Sequence, residues 1–131
     1  MEGLAIYTYY DSFNRGEMES FFDSMTPDVV HDINQGKQEI GKPAFRQFME
    51  RMNRHYQEKV VELVVFVNEN GERAASEFFI EGTYLTTDQG LPPARGQKYR
   101  IRCGAFFELT GGKISRVTNY YNLTDWLLQI K

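Results

Sequence analysis

The sequence predicts an α+β fold, with helices in the first half and a meander of long antiparallel strands in the second. Three observations carry this. Apolar residues recur at helical spacing in three stretches before Lys59. From Lys59 the period changes, and Val60, Val61, Leu63, Val64, Val65, Phe66 and Val67 form a β-branched run. Turn sequences, Asn68-Glu69-Asn70-Gly71 and Thr110-Gly111-Gly112, then separate the later apolar runs, and Asn-Gly is a strong hairpin signal.

The first helix is expected over residues 2 to 14, with Leu4, Ile6 or Tyr7, Tyr10 and Phe13 or Asn14 on one side, and Gly16 supplies its C-terminal turn. A short second helix runs from Glu17 to Met25 with Phe21, Phe22 and Met25 as its apolar side, and Thr26-Pro27-Asp28 breaks it. Asp28 to Asn34 reads as a strand, and Asn34 to Gly41 as a polar loop. The third helix runs from Lys42 to Tyr56, with Pro43 in its first turn and Phe45, Phe48, Met49, Met52 and Tyr56 as a core-facing stripe. Strands follow from Lys59 to Val67, Ala74 to Leu85, Tyr99 to Leu109 and Ile114 to Tyr121, and Leu123 to Ile130 closes the chain as a short helix. The loop from Thr86 to Gln97, with two prolines and two glycines, has the length of a lid or binding loop, or of a disordered one. Gly82 and Gly104 mark places where long strands would bend.

Tyr99, Ile101, Cys103, Ala105 and Phe107 alternate onto one apolar strand face, while Arg100, Arg102, Gly104, Phe106 and Glu108 share the other. If helices cover one face, the other is open to a second subunit. Composition narrows the function classes. With 131 residues the chain is expected to form a single domain, residues 1–131, large enough to bury a core and a pocket. Aromatics make up 15% of it, which suits an apolar cavity or a bulky core. A net charge of −3 gives no electrostatic reason to expect nucleic acid or an anionic membrane. A lone cysteine, Cys103, excludes an intrachain disulfide and a cysteine-based zinc site, and the histidines show no metal-ligand spacing. Met1-Glu2-Gly3-Leu4 carries no basic leader, and no apolar run approaches the roughly 20 residues of a membrane span, so a cytoplasmic protein is expected.

Asp32 is the most informative single residue. A carboxylate in an apolar strand is either solvent-facing or lines a cavity. The segment Tyr9-Tyr10-Asp11-Ser12-Phe13-Asn14-Arg15-Gly16 and the run Val30-His31-Asp32 through Ile40-Gly41 precede Phe106-Phe107-Glu108-Leu109 and Gly112-Lys113-Ile114-Ser115-Arg116-Val117. In order and spacing these pieces resemble the NTF2-like superfamily, in its SnoaL-like and ketosteroid isomerase-related branch. That resemblance implies a cystatin/NTF2-like cone, a curved antiparallel sheet with three N-terminal helices enclosing a pocket. It also implies a catalytic Tyr seven residues before a glycine, which lands on Tyr9, and a catalytic Asp nine residues before a glycine, which lands on Asp32. Where the isomerase carries a second, protonated Asp as donor, this chain has Gly104. At the late-strand positions where related branches carry acids it has Asn119 and Asn122.

In this reading Asp32, desolvated, is the base and Tyr9 the neutral hydrogen-bond donor, with Tyr7 and Tyr10 its rivals on the same helix. The accompanying substrate-binding residues are Asn34, Arg102, Phe106, Asn119 and Tyr121. Arg102 either enters the pocket to pair with Asp32 or stays at the edge, and Asn34 either positions a water or shapes the turn. His31 points away from Asp32 by the period of two and is read as structural, and Cys103 as a buried inert thiol. The expected function is a cavity for a small hydrophobic molecule, with cofactor-free proton-transfer isomerisation or cyclisation and a homodimer through the sheet. The alternatives are a non-catalytic binder and an interaction module using the outer sheet face, around Tyr99, Ile101 and Phe107.

Overall fold

The computed structural model describes residues 3–131. The elements in chain order are α1 (Leu4–Arg15), α2 (Met18–Asp23), β1 (Met25–Asp32), β2 (Gln38–Ile40), α3 (Lys42–His55), β3 (Tyr56–Val67), β4 (Arg73–Tyr84), β5 (Lys98–Thr110), β6 (Lys113–Tyr121) and α4 (Leu123–Gln129). The expected helix start at Glu2 and the leader reading of Met1-Glu2 lie outside the described residues. Gly16 ends α1 in the left-handed region, at φ 70°, and its N–H reaches Phe13 O at 3.2 Å. Among the described residues no helix is long and apolar enough to cross a membrane.

The six strands form one curved, open sheet in the order β2-β1-β6-β5-β4-β3. All neighbours are antiparallel except β1 and β6, which run parallel and join the two halves of the chain. The expected antiparallel meander is β3 to β6, and the β1–β6 pair adds one parallel contact to it. The segment expected to be a break, Thr26-Pro27-Asp28, is strand instead. Pro27 is tolerated because the β1–β6 register shifts between Met25 and Val30, leaving its missing N–H without a ladder role. Within the expected polar loop, Gln38–Ile40 pairs with Val30–Asp32.

Helices α1 and α3 cover the concave face. Tyr9 and Tyr10 meet Phe107 at ring distances of 5.7 and 6.1 Å, and Tyr10 meets Phe78 at 5.1 Å. Phe45 of α3 joins Phe21, Phe22 and His31. Tyr99, Ile101, Cys103, Ala105 and Phe107 are all buried on this face, Tyr99 against Trp126 of α4 at 5.9 Å. That corrects their use as an interaction face. Each fully buried large apolar side chain contributes about 1.5–3 kcal/mol relative to exposure, so the helical layer is anchored by this aromatic seam.

The register fixes what faces each way. His31, Val117, Phe107 and Ala74 lie in one row across β1, β6, β5 and β4, facing the helices. The adjacent row, Asp32, Thr118, Phe106, Ala75 and Phe66, faces the convex side. On β3, Tyr56, Glu58 and Val60 pair with Tyr84, Gly82 and Ile80 and share the concave phase. Gly82 serves a close approach. A Cβ there would lie 2.3 Å from Tyr99 Cζ, so only glycine leaves room for that ring.

Candidate functional site

Between the concave sheet and the helices lies a cavity of about 570 Å³, within the range of small-molecule sites. Aromatic and sulfur-bearing side chains make about half of its wall, among them Tyr9, Phe45, Phe48, Met49, Met52 and Phe78. The polar groups that reach it include Glu58, His31, Asn34, Asn119, Tyr121 and Cys103.

Asp32 is not one of them. Val29 and His31 fix the phase of β1 by burying inward at 0% and 2% exposure, which sends Asp32 to the convex side. There Thr118 Oγ1 donates to Asp32 Oδ2 at 2.6 Å and Gln38 Nε2 to Oδ1 at 2.8 Å. Arg116 Nη1 donates in turn to Thr118 Oγ1 at 2.5 Å. These bonds, Thr118's first, hold the Asp32 carboxyl below the usual aspartate range. The expected desolvated base is therefore a solvated, stabilised carboxylate outside the cavity. The neighbouring residue of β1 that does face the helices is His31, which the sequence reads as structural.

Arg102 and Phe106 share that outer face. Arg102 lies over the Phe79 ring at 4.9 Å, and Phe106 is 49% exposed with its ring 5.8 Å from Tyr120. The expected placement of both in the pocket is corrected by the alternation of β5, whose odd-numbered residues face the helices. For the same reason Gly104, opposite Glu77 and Tyr120, faces outward. A missing donor at that position leaves the cavity wall unchanged.

Tyr9, Asn34, Asn119 and Tyr121 do line the cavity. The tyrosine rivals on α1 separate cleanly. Tyr7 is 42% exposed, and Tyr10 Oη is bonded to Ser76 Oγ at 2.7 Å. The Tyr9 hydroxyl has no hydrogen-bond partner among the described residues, and burial raises its pKa, so it stays a neutral donor. Asn34 is committed to structure. Its Nδ2 donates to Tyr121 O at 3.0 Å, and its Oδ1 accepts from Tyr121 N at 3.3 Å, extending the ladder by a side chain. Asn122 is the N-cap of α4 and accepts from Asp125 N at 3.0 Å.

Among the described residues the acid in the cavity is Glu58. It accepts a hydrogen bond from Tyr99 Oη at 2.5 Å through Oε2. Burial pushes its pKa up, and Tyr99's bond offsets only part of that. Burial and the nearby Glu58 charge raise the Tyr99 phenol in turn. They act likewise on Tyr121 and on Cys103, whose thiol is pushed up to about 12. Cys103 is thus an inert thiol, facing the cavity. Glu58 was missed because Gln57-Glu58-Lys59 reads as a polar connection. The available signal was its phase, two residues from both Tyr56 and Val60.

The loop after β4 is fastened down rather than free. Asp88 accepts from Arg51 Nη1 at 3.1 Å and from Tyr56 Oη at 2.7 Å, and Tyr84 Oη donates to Pro92 O at 2.7 Å. Of the residues from Leu85 to Gln97, Leu85 alone reaches the cavity wall. Among the described residues no group of three or more His, Cys, Asp or Glu side chains could hold a metal ion.

A profile of the SnoaL-like domain matches residues 6–117. A crystal structure of a candidate polyketide cyclase from Pseudomonas putida KT2440 is 50% identical, with a TM-score of 0.95, covering 97% of this chain and 96% of that one. A second, from Xanthomonas campestris pv. campestris, is 46% identical with a TM-score of 0.95, covering 97% and 94%. An LEH-like epoxide hydrolase from M. tuberculosis is 12% identical with a TM-score of 0.73, covering 96% and 81%, and shares the fold alone. No curated protein matches the chain. Profile, identity and sheet topology agree: the chain belongs to the SnoaL-like domain family, within the NTF2-like superfamily.

Proposed function

We propose that this protein takes a small, largely apolar carbonyl compound into its cavity and moves a proton on it, with Glu58 as base and then acid. The observation that carries this is a carboxyl on an aromatic-lined cavity, its pKa raised by burial, with one oxygen held by Tyr99. Raising a carboxyl's pKa brings it closer to neutral pH, where it exchanges protons with carbon acids more effectively. The C–H proton next to the carbonyl passes to Glu58, and the Tyr9 hydroxyl donates to the developing oxyanion. Returning the proton to another carbon is isomerisation. Attack of the carbanion on a second carbonyl, with Glu58 returning its proton to the new alkoxide, is aldol cyclisation. Both steps balance without an electron acceptor. The similarity to candidate polyketide cyclases supports the second.

Deuterium exchange at the α-carbon of 2-tetralone, followed by NMR, tests this. The wild type should accelerate exchange, and Glu58→Gln should lose about 10²–10⁴ of the rate, the range for one general base. Exchange unaffected by Glu58→Gln would remove it as the base. A non-catalytic binder is the second reading, favoured by Asn119, an amide on the wall that binds without taking a proton. It requires 2-tetralone to bind the wild type with no exchange above the buffer rate.

We also propose a homodimer through the convex face, where Val64, Phe66, Phe106 and Tyr120 are 48–62% exposed. Sedimentation showing a monomer at micromolar concentration would exclude it.

A further inference from the structure

One buried histidine–glutamate contact beside the cavity is incomplete. His31 Nδ1 and Glu39 Oε1 are 3.5 Å apart, and both atoms are enclosed without a hydrogen-bond partner. Buried polar atoms are nearly always bonded, so a pair left open in this way needs an explanation. The His31 ring is fixed on two sides. It stacks flat on Phe45 at 4.0 Å and 3° and stands edge-on to Phe48 at 4.8 Å. The whole residue is 2% exposed, yet it forms part of the cavity wall.

We propose that His31, oriented by Glu39, recognises a hydroxyl group on the molecule the cavity takes. The Glu39 carboxylate favours the tautomer with the proton on Nδ1. That leaves the lone pair of Nε2 as the acceptor available to a bound molecule. Burial lowers the His31 pKa, which keeps the ring neutral and the lone pair free at pH 7; Glu39 and Asp32 oppose this more weakly. A hydroxyl donating to Nε2 draws electrons from the ring and strengthens the Nδ1–H contact to Glu39. Both orphaned atoms thereby gain from one ligand bond.

This deepens the reading of the cavity and rests on it. His31 stands on β1 and Glu58 on β3, at opposite sides of the curved sheet. The ligand class that serves both is a flat apolar body carrying a carbonyl toward Glu58 and a hydroxyl toward His31, as in hydroxylated aromatic ketones.

The test uses two fluorescent probes of one shape, 2-naphthol and 2-methoxynaphthalene, of which only the first donates a hydrogen bond. Binding is titrated to the intact wild type, His31→Phe and Glu39→Gln. The wild type should prefer 2-naphthol by about 3- to 10-fold, the worth of one net hydrogen bond. His31→Phe keeps the stack on Phe45 and should bring the two affinities within about twofold, while retaining 2-methoxynaphthalene. Glu39→Gln should reduce the preference with the ring still present. A wild type with no preference, or a preference that survives both substitutions, overturns the assignment and leaves the cavity reading intact. Equal loss of both probes in both variants marks a purely structural pair and also overturns it. Failure of the wild type to bind either probe overturns the assignment and the cavity reading together.

Discussion

Replacing Gly82 by alanine should destabilise the protein, although the general rule has the opposite sign. Alanine for glycine inside a strand stabilises by roughly 0.5–1 kcal/mol when space allows, because glycine loses more backbone entropy on folding. Here the new methyl would sit 2.3, 2.4 and 2.5 Å from Tyr99 Cζ, Cε2 and Oη. The ring must move, and its bond to Glu58 moves with it. Overpacking of this kind costs about 1–3 kcal/mol, and losing a hydrogen bond to a buried carboxyl about 1.5–3 kcal/mol. The gain from alanine is smaller than either, so a net loss of about 2–4 kcal/mol is expected. Urea unfolding would measure it. Tyr99→Ala supplies the control, since it removes the ring that the methyl strikes. In that background Gly82→Ala should be neutral or stabilising by up to about 0.5–1 kcal/mol. The two substitutions must therefore couple strongly. Equal costs of Gly82→Ala with and without Tyr99 would refute the packing argument.

Three other outcomes follow from the same geometry. Asp32→Asn should leave binding and deuterium exchange of 2-tetralone within about twofold of wild type, because the carboxylate sits on the convex face. Its cost is in stability, of order 1–2 kcal/mol for bonds to a partly exposed carboxylate. Because the folded Asp32 pKa is depressed, that stabilisation is present above the unfolded value near 4 and lost as pH falls through the folded pKa. His31 has a depressed pKa of the opposite charge type. The unfolded state binds its proton first, so stability should fall as pH drops below about 6.5 until the folded pKa is passed, and His31→Phe should flatten that slope in urea titrations at pH 5–7. Cys103, pushed up to about 12 on the cavity wall, should react with iodoacetamide at pH 8 far more slowly in the folded protein than in urea, as followed by mass spectrometry.

The fold was legible because its signals are local and strong. The stripe on α3, the β-branched run of β3 and the glycine turns each fixed an element, and spacing between them pointed to the curved sheet. The site was less legible because cavity chemistry depends on strand phase. Asp32 fits an acid-before-glycine spacing, yet Val29 and His31 own the inward phase of β1 and turn it outward. Arg102 and Phe106 fail for the same reason on β5. Glu58 was hidden by a boundary. With no proline or glycine between α3 and β3, the strand begins at Tyr56, three residues before the β-branched run suggested, and that extension puts the acid on the concave face. The Asn34 ladder to Tyr121 and the Gly82–Tyr99 contact join residues far apart in sequence, and no local pattern announces them.

Side-chain carboxyl titration by carbon NMR bears most directly on whether Glu58, and not Asp32, is the cavity acid. The Glu58 Cδ resonance should titrate above the ordinary glutamate value, and Asp32 Cγ below the ordinary aspartate value. Glu58 titrating with the exposed glutamates, or Asp32 shifted upward, would contradict it.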